Sequence, residues 1–225
     1  MLADALDHYF STSETRRMSN SKESEIFSTL YYLESYLKSL KYPAGSRENP
    51  ARTCRDLVEC RLVEKDGTFW VDPNLGCSHD ALQAQCKLAE GGMTCLSPST
   101  DIEFEYPVSK VQMNFLHLLS SEVTQGVKVH CNNVSVWRNS GHSVKFKGWD
   151  GKVYEYGSHG NQDIKIDYDG CRTLDGTWGM THFTFRTQDV TQLPIVDVIV
   201  GGYSSHSGHV PDSTVKIEIE PVCFW

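Results

Sequence analysis

The sequence predicts an α+β fold, with a short N-terminal helical stalk followed by a disulfide-rich, mainly antiparallel β domain. Three observations carry it: a leucine-rich heptad near the start, a succession of short β-type segments divided by turn residues, and an even count of eight cysteines. Residues 1–22 are polar, with Arg16-Arg17 and Ser19-Asn20-Ser21 and no sustained period, and read as a flexible lead-in. Ile26, Leu30, Leu33, Leu37 and Leu40 then recur at alternating steps of four and three, the spacing of a coiled-coil seam. The stalk therefore spans 23–43 and ends at Pro43-Ala44-Gly45-Ser46. An amphipathic helix packed on the following domain would show the same pattern. Self-association is preferred because only a Pro-Gly turn follows the seam, and so short a helix is marginal alone in water. Leucine at most seam positions does not choose between two, three or four strands.

After the turn, residues 68–71 read as a strand leading into Asp72-Pro73-Asn74, residues 80–86 as one short helix, and residues 111–119 as an apolar strand. Residues 127–131 alternate cleanly between apolar and polar. Residues 144–147 and 153–156 flank Asp150-Gly151, a hairpin signal. Residues 164–167, 182–185 and 215–219 complete the antiparallel set.

With 225 residues the chain is long enough to bury a substantial core. Its net charge of −8 and lack of a Lys/Arg run give no electrostatic footprint for nucleic acid or an anionic membrane. The apolar stretch 193–200 is interrupted by Asp197 and falls short of a membrane span. The opening residues carry two acids and no continuous apolar core, which is not a signal peptide, so the chain reads as a portion of a longer precursor.

The cysteines fall into five close together (Cys54, Cys60, Cys77, Cys86, Cys95) and three far apart (Cys131, Cys171, Cys223). No Cys-x-x-Cys pair or Cys/His alternation at zinc-finger spacing is present, which favours a disulfide framework over a metal knuckle. Both groups are odd. If every thiol is oxidised, either a bridge joins the groups or some cysteines pair with another chain. Inside the crowded group, the loop 72–80 gathers Asp72, Asn74, Asp80 and the turn-permissive Gly76. That density of hard oxygen donors suits Ca²⁺, and it equally suits a solvated turn. Asn133-Val134-Ser135 is a glycosylation acceptor. His206-Ser207-Gly208-His209 lacks a third ligand at catalytic-zinc spacing, and Ser204 and Ser205 sit in no nucleophile-elbow pattern, so no enzyme reading is supported.

The stretch Asn49-Pro50-Ala51-Arg52-Thr53-Cys54-Arg55-Asp56-Leu57, the loop Trp70-Val71-Asp72-Pro73-Asn74-Leu75-Gly76-Cys77, the segment Leu193-Pro194-Ile195 and the terminal Pro221-Val222-Cys223-Phe224 resemble the C-terminal propeptide of fibrillar procollagens. The resemblance runs from about residue 24 to the end and takes in all eight cysteines in order. Within the family, residues 111–124 and 183–188 look most like the minor fibrillar types XXVII and XXIV, with type XXVII favoured.

The resemblance implies a non-enzymatic trimerisation domain, assembled in the endoplasmic reticulum and secreted to the extracellular matrix. Its fold would be a trimeric coiled-coil stalk above a globular domain of residues 44–225, with a base over about 44–95 and a petal related to fibrinogen-like domains over about 96–225. It implies structural Ca²⁺ held by the side chains of Asp72, Asn74 and Asp80 and the carbonyls of Leu75 and Cys77. It implies Cys54 with Cys86, Cys95 with Cys223 and Cys131 with Cys171 inside a chain, and Cys60 with Cys77 of a neighbour. Tolloid-type procollagen C-proteinases process such propeptides, and Ala3-Asp4 would fit their preference. The segment between Cys95 and Val111, which in the major fibrillar types selects partner chains, is short here, so a homotrimer is expected. The alternative is a calcium-dependent, fibrinogen-like recognition domain whose trimer serves avidity.

Overall fold

The computed structural model describes residues 2–60, 65–99, 104–138, 143–157, 164–200, 203–204 and 215–225, with side chains described from residue 22 onward except at 203–204. The chain divides into two units, Met1–Tyr42 and Pro43–Trp225.

The first unit is one helix, α1 (Leu2–Lys41). It extends through the stretch expected as an irregular lead-in, so no break separates residues 2–22 from the seam. The physical reason is the absence of breakers: no Gly or Pro occurs before Pro43, and the polar residues of the lead-in are tolerated in a helix interior. Glu34 and Lys38 pair at 2.8 Å one turn apart, and Pro43 stops propagation. No described helix is long and apolar enough to cross a membrane.

The second unit places strands in two sheets in which all named pairings are antiparallel. A short helix, α2 (Cys54–Glu59), precedes β1 (Gly67–Val71), β2 (Leu82–Lys87) and β3 (Met93–Leu96). Then come α3 (Lys110–Leu119), β4 (Val123–Asn132), β5 (Val144–Gly148), β6 (Val153–Glu155), β7 (Ile164–Asp169) and β8 (Trp178–Thr187). The last strands are β9 (Ile195–Val200), β10 (Tyr203–Ser204) and β11 (Val215–Phe224). The larger sheet runs β1-β2-β3-β11-β4-β8-β7, the smaller β10-β9-β5-β6.

Two segments of this unit differ from the sequence expectation. Residues 82–87 form a strand because Leu82, Ala84 and Cys86 alternate inward while Gln83 and Gln85 face out, and pairing to β1 and β3 overrides helix-favouring Ala, Leu and Gln. Residues 110–119 form a helix. Ser109 accepts the Gln112 backbone N–H at 3.2 Å, and Gln112, Met113, Leu116 and His117 bury one face at steps of three and four.

The core couples the two sheets through aromatic rings. Phe146 of β5 meets Phe183 and Phe185 of β8 with ring centroids 5.0 Å apart, and Trp137 closes on Phe183 at 5.1 Å. Three disulfides cross-link the unit: Cys54–Cys86, Cys95–Cys223 and Cys131–Cys171, the pairs the family resemblance implies. Cys95 and Cys223 lie directly opposite in the β3–β11 register. Pro221 lies inside the central strand β11 where the register with β4 shifts between Ile219 and Val222, so its missing N–H coincides with a break in the ladder.

Two glycines with φ above +80° or equal to it separate the causes of strain: Gly92 (φ +85°) would aim a Cβ to 2.6 Å from the Arg55 Cα, whereas Gly151 (φ +80°) faces open space. Gly151→Ala is expected to cost about 1 kcal/mol from backbone strain alone, and Gly92→Ala about 3 kcal/mol or more because helix α2 must also shift. Chemical denaturation of the two variants checks the difference. His117 is buried under Trp149 and Phe224, with Nε2 2.7 Å from the Leu193 carbonyl. Burial lowers its pKa, partly opposed by that hydrogen bond. The unfolded chain therefore takes up the proton first, so this contribution is complete above about pH 6.5 and declines as pH falls below it. Unfolding midpoints measured from pH 7 to 5 should fall more steeply for the native protein than for His117→Gln, by the uptake of at most about one proton.

Candidate metal site and the cysteines beside it

Where β1 ends, the segment before α2 holds the chain in place. Ala51 accepts the Asp72 N–H at 2.7 Å and donates its own to Trp70 O at 3.1 Å. Asp72 is thereby buried, 3% exposed, at the mouth of the loop. The loop then folds on itself: Leu75 N–H reaches Asp72 O at 3.0 Å, Gly76 N–H the Asn74 Oδ1 at 3.1 Å, and Asp80 N–H the Cys77 O at 3.1 Å. Leu75 takes φ +50°, the left-handed region that tight turns demand and branched side chains resist. Ser78–Asp80 close the loop as a single 3-10 turn.

These turns converge three side chains on one point, and α3 supplies the atom found there. Gln112 Nε2 lies 3.0 Å from Asp72 Oδ1, 3.2 Å from Asn74 Oδ1, 2.9 Å from Asp80 Oδ2 and 3.2 Å from Asp80 O. Asn74 Nδ2 donates to the same Asp80 Oδ2 at 3.1 Å. A primary amide has only two N–H groups to share among four oxygens. Among the described residues no basic side chain forms an ion pair with Asp72 or Asp80, and Gln112 Oε1 is buried without a partner.

A cage of oxygens carrying two carboxylates, one amide and one carbonyl fits a hard cation such as Ca²⁺, which takes six to eight oxygens at about 2.3–2.6 Å. Among the described residues no group of three or more His, Cys, Asp or Glu converges. Of the five ligands implied for calcium, the three side-chain donors Asp72, Asn74 and Asp80 meet here. The carbonyl beside them is that of Asp80, while Cys77 O is engaged by the Asp80 N–H. Gln112 was invisible to sequence reasoning because it lies 40 residues from Asp72 and 32 from Asp80. The Ser109 cap and the buried three-and-four spacing after it were the signals that would have put it on a helix.

Cys77 precedes the 3-10 turn and is exposed, and Cys60 is half-buried where it caps α2; neither belongs to the three bridges. Asn133 is exposed just past β4 with φ +56°, so the acceptor amide stands clear of the sheet. The seam residues of α1 are exposed in the single chain, from 44% at Leu40 to 63% at Leu37, and Phe27, Tyr31 and Tyr32 lie open beside them. The 206–209 histidine loop and Ser205 lie outside the described residues, as do the side chains of Ala3 and Asp4.

Comparison with known proteins places nearly the whole chain in one family. Residues 22–107 and 99–224 match the family described as fibrillar collagen C-terminal domain. The two matches overlap at residues 99–107, in the segment leading from Cys95 to α3. The collagen alpha-1(XXVII) chain of Rattus norvegicus is 46% identical over 209 residues, covering 89% of this chain and 11% of its own length. The collagen alpha-1(XXIV) chain of Homo sapiens is 44% identical over 179 residues, covering 77% of this chain and 10% of its own. The collagen alpha-1(I) chain of Gallus gallus is 31% identical over 243 residues, covering 90% and 16%. This chain thus spans about a tenth of the length of the first of these relatives. With nearly the whole folded unit matched and the relatives all collagen chains, this chain belongs to the fibrillar collagen C-terminal domain family.

Proposed function

We propose that this chain is the C-propeptide of a fibrillar procollagen, a structural module that joins three identical chains and sets their register before the triple helix folds. The observation that carries the reading, beside family membership, is the exposed leucine seam of α1. Five large apolar side chains facing water on one stripe gain about 25 cal/mol per Å² of apolar surface buried when other copies cover them. The short link between Cys95 and α3 favours identical partners over mixed ones.

Around the stalk, Cys60 and Cys77 are assigned to bonds between neighbours. A head-to-tail Cys60–Cys77 contact repeated by rotation closes into a ring of three, and so converts a concentration-dependent assembly into a covalent one. Calcium in the loop 72–80 would neutralise Asp72 and Asp80 and hold the turn from which Cys77 projects. Asn133 is the assigned glycan acceptor. Assembly in the endoplasmic reticulum, release to the extracellular matrix and removal by a tolloid-type proteinase complete the proposal.

Three measurements test it. Light scattering should give a trimer mass that collapses to monomer in Leu30→Asp/Leu37→Asp, and a non-reducing gel should show Cys60→Ser migrating as monomer while its solution mass stays trimeric. A monomer for the native protein in solution would overturn the assembly reading. Chelation by EDTA should lower the thermal midpoint, and calcium returned at a hundredfold its dissociation constant should restore about 2.7 kcal/mol. An unchanged midpoint would remove calcium from the account and leave assembly standing.

A further inference from the structure

The oxygen cage contains one contradiction, and it is local to Gln112. Its amide nitrogen faces four oxygens with two hydrogens to give, while its own oxygen, on a side chain only 1% exposed, has no partner. A buried acceptor left unmade costs about 1–3 kcal/mol. Half a turn about the last side-chain torsion exchanges the two atoms. Oε1 then joins Asp72 Oδ1, Asn74 Oδ1, Asp80 Oδ2 and Asp80 O. Five oxygens facing one another without an N–H between them repel, unless a cation sits among them.

We propose that Gln112 is a direct metal ligand through Oε1, contributed by α3 to the loop 72–80. The inference rests on the calcium reading above. It gives the site a donor from a second element, so that the metal ties α3 to the loop. The Ser109 cap and the burial of Met113 and Leu116 hold α3 in place, so that the Gln112 amide is kept at the cage.

The test uses Eu³⁺ as a luminescent stand-in for calcium on the full chain, with lifetimes in H₂O and D₂O counting the waters bound to the ion, and calorimetric Ca²⁺ titration alongside. Gln112→Met removes the donor at nearly constant volume, so a water should replace it: the count rises by one and Ca²⁺ affinity falls about tenfold or more. Gln112→Glu keeps an oxygen in place and should retain the native water count with undiminished affinity. If Gln112→Met fails to fold, Gln112→Asn, one methylene short of the cage, should show the same added water. An unchanged count in Gln112→Met or Gln112→Asn overturns the ligand assignment, even if affinity falls, because a residue that only orients the carboxylates leaves the first coordination sphere intact. A native protein that binds neither ion overturns the calcium reading itself, and with it the ligand.

Discussion

The larger sheet is continuous only through β11. This last strand pairs with β3 on one side and β4 on the other, joining the disulfide-rich region of β1 to β3 with the long strands β4, β8 and β7. The Cys95–Cys223 bond reinforces the junction across 128 residues of sequence, a loop closure worth about 5 kcal/mol in the chain-entropy account. The packing of α3 follows from the same junction, because His117 rests on Phe224 of β11 and reaches the Leu193 carbonyl next to β9. The oxygen cage depends on that packing in turn, since Gln112 sits on α3 while Asp72, Asn74 and Asp80 belong to the loop between β1 and β2.

That chain of dependence gives the loop its place in the proposed assembly. Asp72 is fixed by the backbone of Ala51, three residues before the Cys54–Cys86 bridge that anchors α2 to β2. Cys60 ends α2 and Cys77 lies in the loop, so one set of contacts governs where both cysteines stand on the surface. A ring of identical chains requires that geometry to be the same in every copy. Rigid anchoring of the loop by a bridge, a buried carboxylate and a cation would supply it.

Much of this fold was legible in local patterns. The Asp150-Gly151 hairpin, the alternation of 127–131 and the strand at 215–219 all follow from period-two burial and turn chemistry, which neighbours in sequence settle. The errors lie where two local signals compete. Residues 111–115 alternate apolar and polar for five positions, as a strand would, yet continue at helical spacing through Leu116 and His117. Residues 80–86 are rich in helix formers, and the strand conformation of 82–86 comes from pairing with β1 and β3. The lead-in is helical against expectation because a polar stretch without Gly or Pro meets no obstacle to helix formation.

By itself the sequence determined the inventory: eight cysteines of unequal spacing, a heptad seam, a loop dense in oxygen donors and a sequon. These are properties of composition and of residues a few positions apart, which the chain carries into any fold. Tertiary structure decided which of them meet. The amide of Gln112 among four oxygens and the opposition of Cys95 to Cys223 join residues tens to more than a hundred positions apart. Contacts at that separation depend on strand register and helix packing, where a shift of one residue turns a side chain to the other face.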